Sequence, residues 1–196
     1  MKDDIERRFE LNLGRAKGLI TAYEAALPGV AGRPSLATTD ILRASVVFLH
    51  ATLEDLLRSI LAWKLPSANP EHMEQVPLAG ERLRKYTLAD IAKHRGLSVD
   101  DLLERSVAHS LEHSNFNSVE EVGSALARSG LATAVIDPFG KHLAAMMSRR
   151  HWIVHRADRN EAQGSGHFAA RSLSPTTVQA WVSAVNAFGD AVLALV

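Results

Sequence analysis

The chain predicts an all-α bundle, on three observations. Apolar residues recur at three- and four-residue intervals through most of its 196 residues, the spacing that lines up side chains on one helix face. Helix-start signals are frequent: Ser98 with Asp101, Ser118 with Glu121, and the cap-plus-proline pairs Asp137-Pro138 and Ser174-Pro175. The apolar–polar alternation of a half-buried strand is nearly absent.

Each element follows from local signals. Ile5, Phe9, Leu13, Ala16 and Ile20 recur at helical spacing and predict a first helix over residues 3 to 27, stopped by Pro28-Gly29. The cluster Thr38-Thr39-Asp40 predicts the cap of a second helix running to about Lys64. That helix is apolar on most sides, which predicts the central buried helix of the bundle. Pro66, Pro70 and Pro77 then open a polar, irregular segment.

Three short helices are expected after it: one from Thr87 to Gly96, one capped by Ser98, and one capped by Ser118 and closed at Gly130. Residues 66 to 130 thus read as an insertion or cap of short helices between the second and the penultimate long helices. Asp137-Pro138 predicts the start of the penultimate helix, with the aspartate as cap, and the helix continues to about Arg156. Residues 157 to 173 contain "QGSG" and read as a mobile loop. A final helix starts at Ser174-Pro175 and carries Val178, Trp181, Val182, Val185, Phe188 and Val192 on one side. With no internal repeat or low-complexity segment, residues 1 to 196 read as a single domain.

Composition narrows the function. Lys+Arg and Asp+Glu are both 22, so the formal net charge is zero. A broad electrostatic footprint for duplex DNA or an anionic membrane is not supported, and a polyanion would have to be met by a local basic cluster. The absence of cysteine excludes disulfides, thiolate nucleophiles and Cys-based zinc sites. The opening "MKDDIERRFE" has no apolar signal-peptide core. The greasiest stretch is broken by Arg43, Glu54, Asp55 and Arg58, and the C-terminal run by Asn186 and Asp190. No membrane span is read, and a cytoplasmic location is expected.

One stretch concentrates charge around an apolar run. "RRHWIVHRADRN", residues 149 to 160, holds four arginines and two histidines around Trp152-Ile153-Val154. Arg150 and His155 lie about 140° apart and roughly 7.5 Å along a helix axis, so they flank one side and can converge on a ligand lodged there. Trp152, Ile153 and Met146 are expected to anchor the helix to the core. An arginine and a histidine near one phosphodiester suffice for metal-free RNA cleavage, because RNA supplies its own nucleophile, the 2′-hydroxyl. The imidazole moves protons near neutrality, and the guanidinium fork stabilises charge on the phosphoryl oxygens. No metal and no cofactor are needed.

At these residues the chain resembles the HEPN superfamily of small α-helical bundles, many of which are metal-independent endoribonucleases. "RHWIVH" matches the family's Arg-x4–6-His signature, with the polar His151 directly after the arginine. "RRHWIVHRAD" together with "SNFNSVEEVGSALARSGL" upstream looks most like the RiboL-PSP-HEPN branch. The resemblance covers most of the chain. It implies that Arg150 and His155 are the catalytic pair. It also implies a homodimer whose two motifs line one cleft, and a role in toxin–antitoxin, phage-defence or RNA-processing systems, where an antitoxin or other regulatory protein could act on the chain. Some HEPN nucleases place an acidic residue from the second helix beside the pair. Glu54 is the candidate here, to orient His155 or tune its pKa. Arg149, His151, Arg156 and Arg159 are expected to contact RNA or supply the local positive field, and Asp158 to pair with a neighbouring arginine.

Other readings of the same residues stay open at this point. Arg150 and His155 also fit a solvated face with a histidine near a helix C-terminus. His50, Glu54 and Arg58 recur every four residues, with Arg43 further back on roughly the same side, and Glu54 with Arg58 fits an i,i+4 pair of structural value only. His151 and His155 have zinc-ligand spacing, but Trp152 stands where a zincin has glutamate. "TLADIAKHRGLSVDDLLERS" approaches a helix-turn-helix pattern, yet Asp100, Asp101 and Glu104 occupy positions where a DNA reader needs Arg, Lys, Asn or Gln. A HEPN domain without catalysis, acting as an RNA-binding or scaffolding module, is a further alternative.

Overall fold

The computed structural model describes residues 1–27, 35–81, 85–160 and 170–196. Helix α1, Lys2–Ala25, buries one stripe made of Ile5, Phe9, Leu13, Ala16, Ile20 and Tyr23. Its expected stop, Pro28-Gly29, lies outside the described residues. Helix α2 spans Leu36–Lys64, and α1 packs along it more extensively than any other pair of helices does. α2 begins two residues before the Thr38-Thr39-Asp40 cluster. Ser35 is its cap, accepting the Thr38 amide at 3.0 Å. The cluster's own side chains are used otherwise: the Thr39 hydroxyl donates to the Ser35 carbonyl, and Asp40 takes an Arg43 N–H.

By length and composition α2 could cross a membrane. In this fold much of its apolar side is enclosed by other helices, with Leu42, Val46, Leu49 and Leu53 fully buried, while Leu36 and Phe48 stay exposed. Touching α1, α4, α5, α6 and α7, it is the central helix that its all-round apolarity predicted.

Two short 3-10 turns, Leu65–Ser67 and Pro70–Met73, occupy the proline-rich stretch. Helices α3 (Leu88–Ala92), α4 (Val99–Glu112) and α5 (Val119–Arg128) follow, each opened by a reciprocal capping box: Thr87 with Asp90, Ser98 with Asp101, Ser118 with Glu121. Gly130, at φ 73, makes the left-handed turn after α5. Val107, Leu111, Phe116, Val122 and Leu126 join the same continuous core as the long helices. The region between residues 66 and 130 is therefore rooted in the bundle by α4, α5 and their linker.

Asp137-Pro138 does not start the penultimate helix. A 3-10 turn over Thr133–Ile136 runs into it, and Asp137 has helical dihedrals (φ −50°, ψ −44°) instead of the extended backbone of a capping residue. Apolar anchoring wins here. Ile136 is buried, and Phe139 meets Phe188 edge-on at 6.1 Å. Helix α6 then runs from Gly140 to Arg156. Helix α7, Pro175–Leu193, has Ser174 as cap, and Val178, Trp181, Val182, Val185, Phe188 and Val192 are buried as the periodicity predicted. α7 approaches α1 closely at Gly189, where any Cβ would strike the Phe9 ring.

The α6–α7 connection is not loose at its ends. Residues 161–169, which hold "QGSG", lie outside the described residues. On either side, Arg159 and Ala170 form an antiparallel bridge, and Asp158 is fully buried. Ala157 and Asp158 both take left-handed dihedrals, φ 47° and 56°, and both amides donate to the Trp152 carbonyl. Such dihedrals cost a non-glycine residue roughly 1–2 kcal/mol. Here they turn the Asp158 carboxylate inward, onto two arginines.

Candidate active site

Neighbouring residues on a helix point about 100° apart, and on α6 that separates two arginines into two different settings. Arg149 faces inward. Its Nη2 donates to Asp158 Oδ2 at 2.7 Å and to the carbonyls of Arg171 and Ser172, both at 2.9 Å. The same Asp158 oxygen accepts Arg43 Nε at 2.8 Å, and Arg43 also donates to the Arg171 carbonyl and to Asp40. Burial pushes the Arg149 guanidinium below its usual pKa, against the pull of Asp158. Asp158 is thus the partner of two arginines. Arg149, expected at the RNA, instead fastens α6 to the start of the run into α7. Asp158 pairs with a neighbouring arginine as expected, but the Arg171 and Ser172 carbonyls that complete the set lie further along the chain and gave no local sign.

Arg150 turns toward the linker between α4 and α5, where its Nη1 donates to Asn117 Oδ1 at 3.1 Å. That linker is clasped from α2 by three side chains one turn apart. The His50 Nε2 lies 3.1 Å from the Phe116 carbonyl. Glu54 Oε1 accepts the Phe116 amide at 3.5 Å. Arg58 donates to the Ser114 carbonyl at 2.6 Å and lies over the Phe116 ring at 5.8 Å. Glu54 also faces its helix neighbours, 3.9 Å from His50 and 3.7 Å from Arg58.

The His50 pKa is lowered, first by burial and then by the positive charges of Arg150 and Arg58. Glu54 and the Phe116 carbonyl oppose the shift without reversing it. A neutral His50 donates its Nε2–H to the Phe116 carbonyl, which suits the observed distance. The charge of Arg150 is therefore felt at a buried imidazole on α2.

Glu54 does not take up the role expected of it. Among the described residues its partners are His50, Arg58 and the Phe116 amide, and His155 is not one of them. Its work is to hold the linker that presents Asn117 to Arg150. The ladder His50–Glu54–Arg58 was visible as a four-residue repeat. Its targets, Ser114 and Phe116, lie about sixty residues away and were not.

His155 lies on the outer side of α6, exposed like His151. Their rings are 4.8 Å apart and tilted by 47°. Met146 is fully buried, and Ile153 packs against the core, so the expected apolar anchoring of α6 holds there. Trp152 is half-buried and carries the guanidiniums of Arg171 at 3.8 Å and Arg156 at 5.6 Å from its ring centre. Arg156 and Arg159 are exposed on the same rim. Within the unbroken α6, Arg150 and His155 keep the offset of about 140° and roughly 7.5 Å. They border one stretch of surface from two directions, and no direct contact joins them among the described residues.

The arrangement offers one half-buried arginine that spends a single Nη1–H on Asn117, two exposed imidazoles beside it on the same helix, and a cationic rim. Such a set can bind a phosphate and move a proton beside it. Comparison with family models, curated proteins and solved structures finds no match to this chain.

Proposed function

We propose that the chain is a metal-independent endoribonuclease of the HEPN kind, acting as a homodimer. The observation that carries the reading is the division of labour on α6. Arg149 is consumed by Asp158, while Arg150 spends one N–H group on Asn117, and His155 stands exposed one turn further along. A purely structural arginine would resemble Arg149.

In the proposed reaction the ribose 2′-oxygen attacks the adjacent phosphorus and the bond to the 5′-oxygen breaks. His155 accepts the 2′-hydroxyl proton, and a protonated imidazole, supplied by the second copy of α6, gives one to the leaving 5′-oxygen. Arg150 binds the non-bridging oxygens, whose charge grows in the transition state. The products end in a 2′,3′-cyclic phosphate and a 5′-hydroxyl. His151, Arg156 and Arg159 contact the flanking RNA, and a toxin or phage-defence role in the cytoplasm fits such an activity. Arg149 and Glu54 are left out of the catalytic set, because each is occupied in holding the fold.

The test is cleavage of total RNA in excess EDTA by wild type, Arg150→Ala and His155→Ala, each checked for folding and dimerisation. Cleavage is expected from the wild type alone, reduced by about 100-fold or more in each variant. Cleavage that survives both substitutions, or products carrying a 5′-phosphate, would overturn the mechanism. RNA binding without cleavage in all three would leave a scaffolding module instead.

A further inference from the structure

The last turn of α4 holds a second group of titratable side chains, on a different helix from the one just described. His109, Glu112 and His113 follow one another at i, i+3 and i+4, the spacing that puts side chains on one helix face. Their ligating atoms all lie within 4.8 Å of one another. The two imidazoles stand edge to face with centres 5.5 Å apart. Both border an open hollow of about 340 Å³ that Pro77, Glu81 and Ser110 also line.

We propose that this turn is a zinc-binding site, with His109, Glu112 and His113 as its three protein ligands. Two imidazole nitrogens and one carboxylate oxygen are a donor set that zinc accepts, with bonds of roughly 2.0–2.2 Å. Tetrahedral ligands at that range stand about 3.3 Å apart, so the observed spread closes by rotation of side chains that are exposed or half-exposed. Glu112 is the last residue of α4 and His113 its C-cap. A cation there meets the negative end of the helix, where the last carbonyls lack amide partners. Glu81 borders the hollow, but its carboxylate is held by Lys93 at 2.6 Å. The fourth position is therefore left to water or to an incoming ligand, as in zinc sites that keep an open place.

The other histidine pair with this spacing, His151 and His155, makes a poorer site. Among the described residues, His109, Glu112 and His113 are the one triad of this kind. Asp158, the nearest carboxylate along the chain from the α6 pair, is buried against Arg43 and Arg149. Arg156 follows His155 directly and adds a charge that repels a metal ion.

Metal-free protein titrated with zinc against a chromophoric chelator tests this without reference to nuclease activity. One equivalent is expected to bind, with no comparable uptake of magnesium, which requires oxygen ligands. His109→Ala and His113→Ala should each weaken binding by at least about tenfold, since even groups that only orient a ligand are worth about 10- to 100-fold. Glu112→Gln should weaken it less, and His151→Ala should leave it unchanged. All four side chains are exposed or half-exposed, and unchanged circular dichroism will confirm folding. Absence of zinc uptake by the wild type, uptake that persists in both His109→Ala and His113→Ala, or loss on His151→Ala would each overturn the assignment.

Discussion

Two clusters of charged side chains hang on α2, two turns apart, and they differ in how completely their charges are spent. At Arg43, the guanidinium and that of Arg149 close on a single fully buried carboxylate, Asp158; both also donate to the Arg171 carbonyl, Arg149 to that of Ser172, and Arg43 to Asp40. At His50, Glu54 and Arg58 the contacts are longer and shared, reaching 3.5 to 3.9 Å around Glu54, and the cluster ends at the surface on Asn117 and Arg150. The first cluster locks one connection, from α6 to α7. The second braces another, from α4 to α5, and keeps an arginine in reserve. Adjacent arginines with the same chemistry thus sit in different settings, one paired with a buried carboxylate and the other with an exposed amide.

The comparison breaks most readily at Asp158. Asp158→Ala leaves the buried Arg43 and the half-buried Arg149 without their shared carboxylate, and such a loss costs about 3–5 kcal/mol. Urea denaturation is expected to read a drop of that size, and a drop below about 1 kcal/mol would show that the first cluster is no lock. Glu54→Ala is expected to cost less, about 1–3 kcal/mol, because it leaves the Phe116 amide and Arg58 short of one partner each. Its signature is local. Amide hydrogen exchange should speed up at residues 114 to 117 ahead of the helices flanking them.

A third expectation concerns pH. In the fold, His50 resists protonation, so the unfolded chain binds that proton first. The stability tied to neutral His50 is present above the ordinary imidazole pKa of about 6.5 and is lost as pH falls below it. Denaturation midpoints taken from pH 8 downward should show this decline, and His50→Gln should flatten it. The smallest stability effect belongs to Arg150→Ala, within about 1 kcal/mol, since one exposed hydrogen bond to Asn117 is lost. Equal destabilisation by Arg149→Ala and Arg150→Ala would erase the distinction between the clusters.

Legibility followed the range of the interaction. The caps at Ser98, Ser118 and Ser174 were readable because each acts on an amide three residues away. The start of α6 was misread at Asp137-Pro138 because the burial of Ile136 and the Phe139–Phe188 contact outweigh a local cap signal. The start of α2 was read late, since Ser35 precedes three further candidates that looked equally able to cap. Arg150 and His155 on α6 could be singled out by spacing, whereas the contacts that Arg149 on α6 and Glu54 on α2 make in the fold could not. Asp158 was expected to pair with a neighbouring arginine, but not with two, and the Phe116 partner of Glu54 is distant in sequence. Asn117 was not picked out at all, and His50 was noted only as part of a four-residue repeat.

By itself the sequence determined the helical class, the stripe of α1, the central place of α2 and the apolar face of α7. Each of these depends on periodicity and on the cost of exposing apolar surface, which are local properties of the chain. Tertiary structure alone decided which charges are structural and which stay available. A buried ion must find a partner wherever the fold brings one, and here the partners of Arg43 and Glu54 come from segments more than sixty residues away.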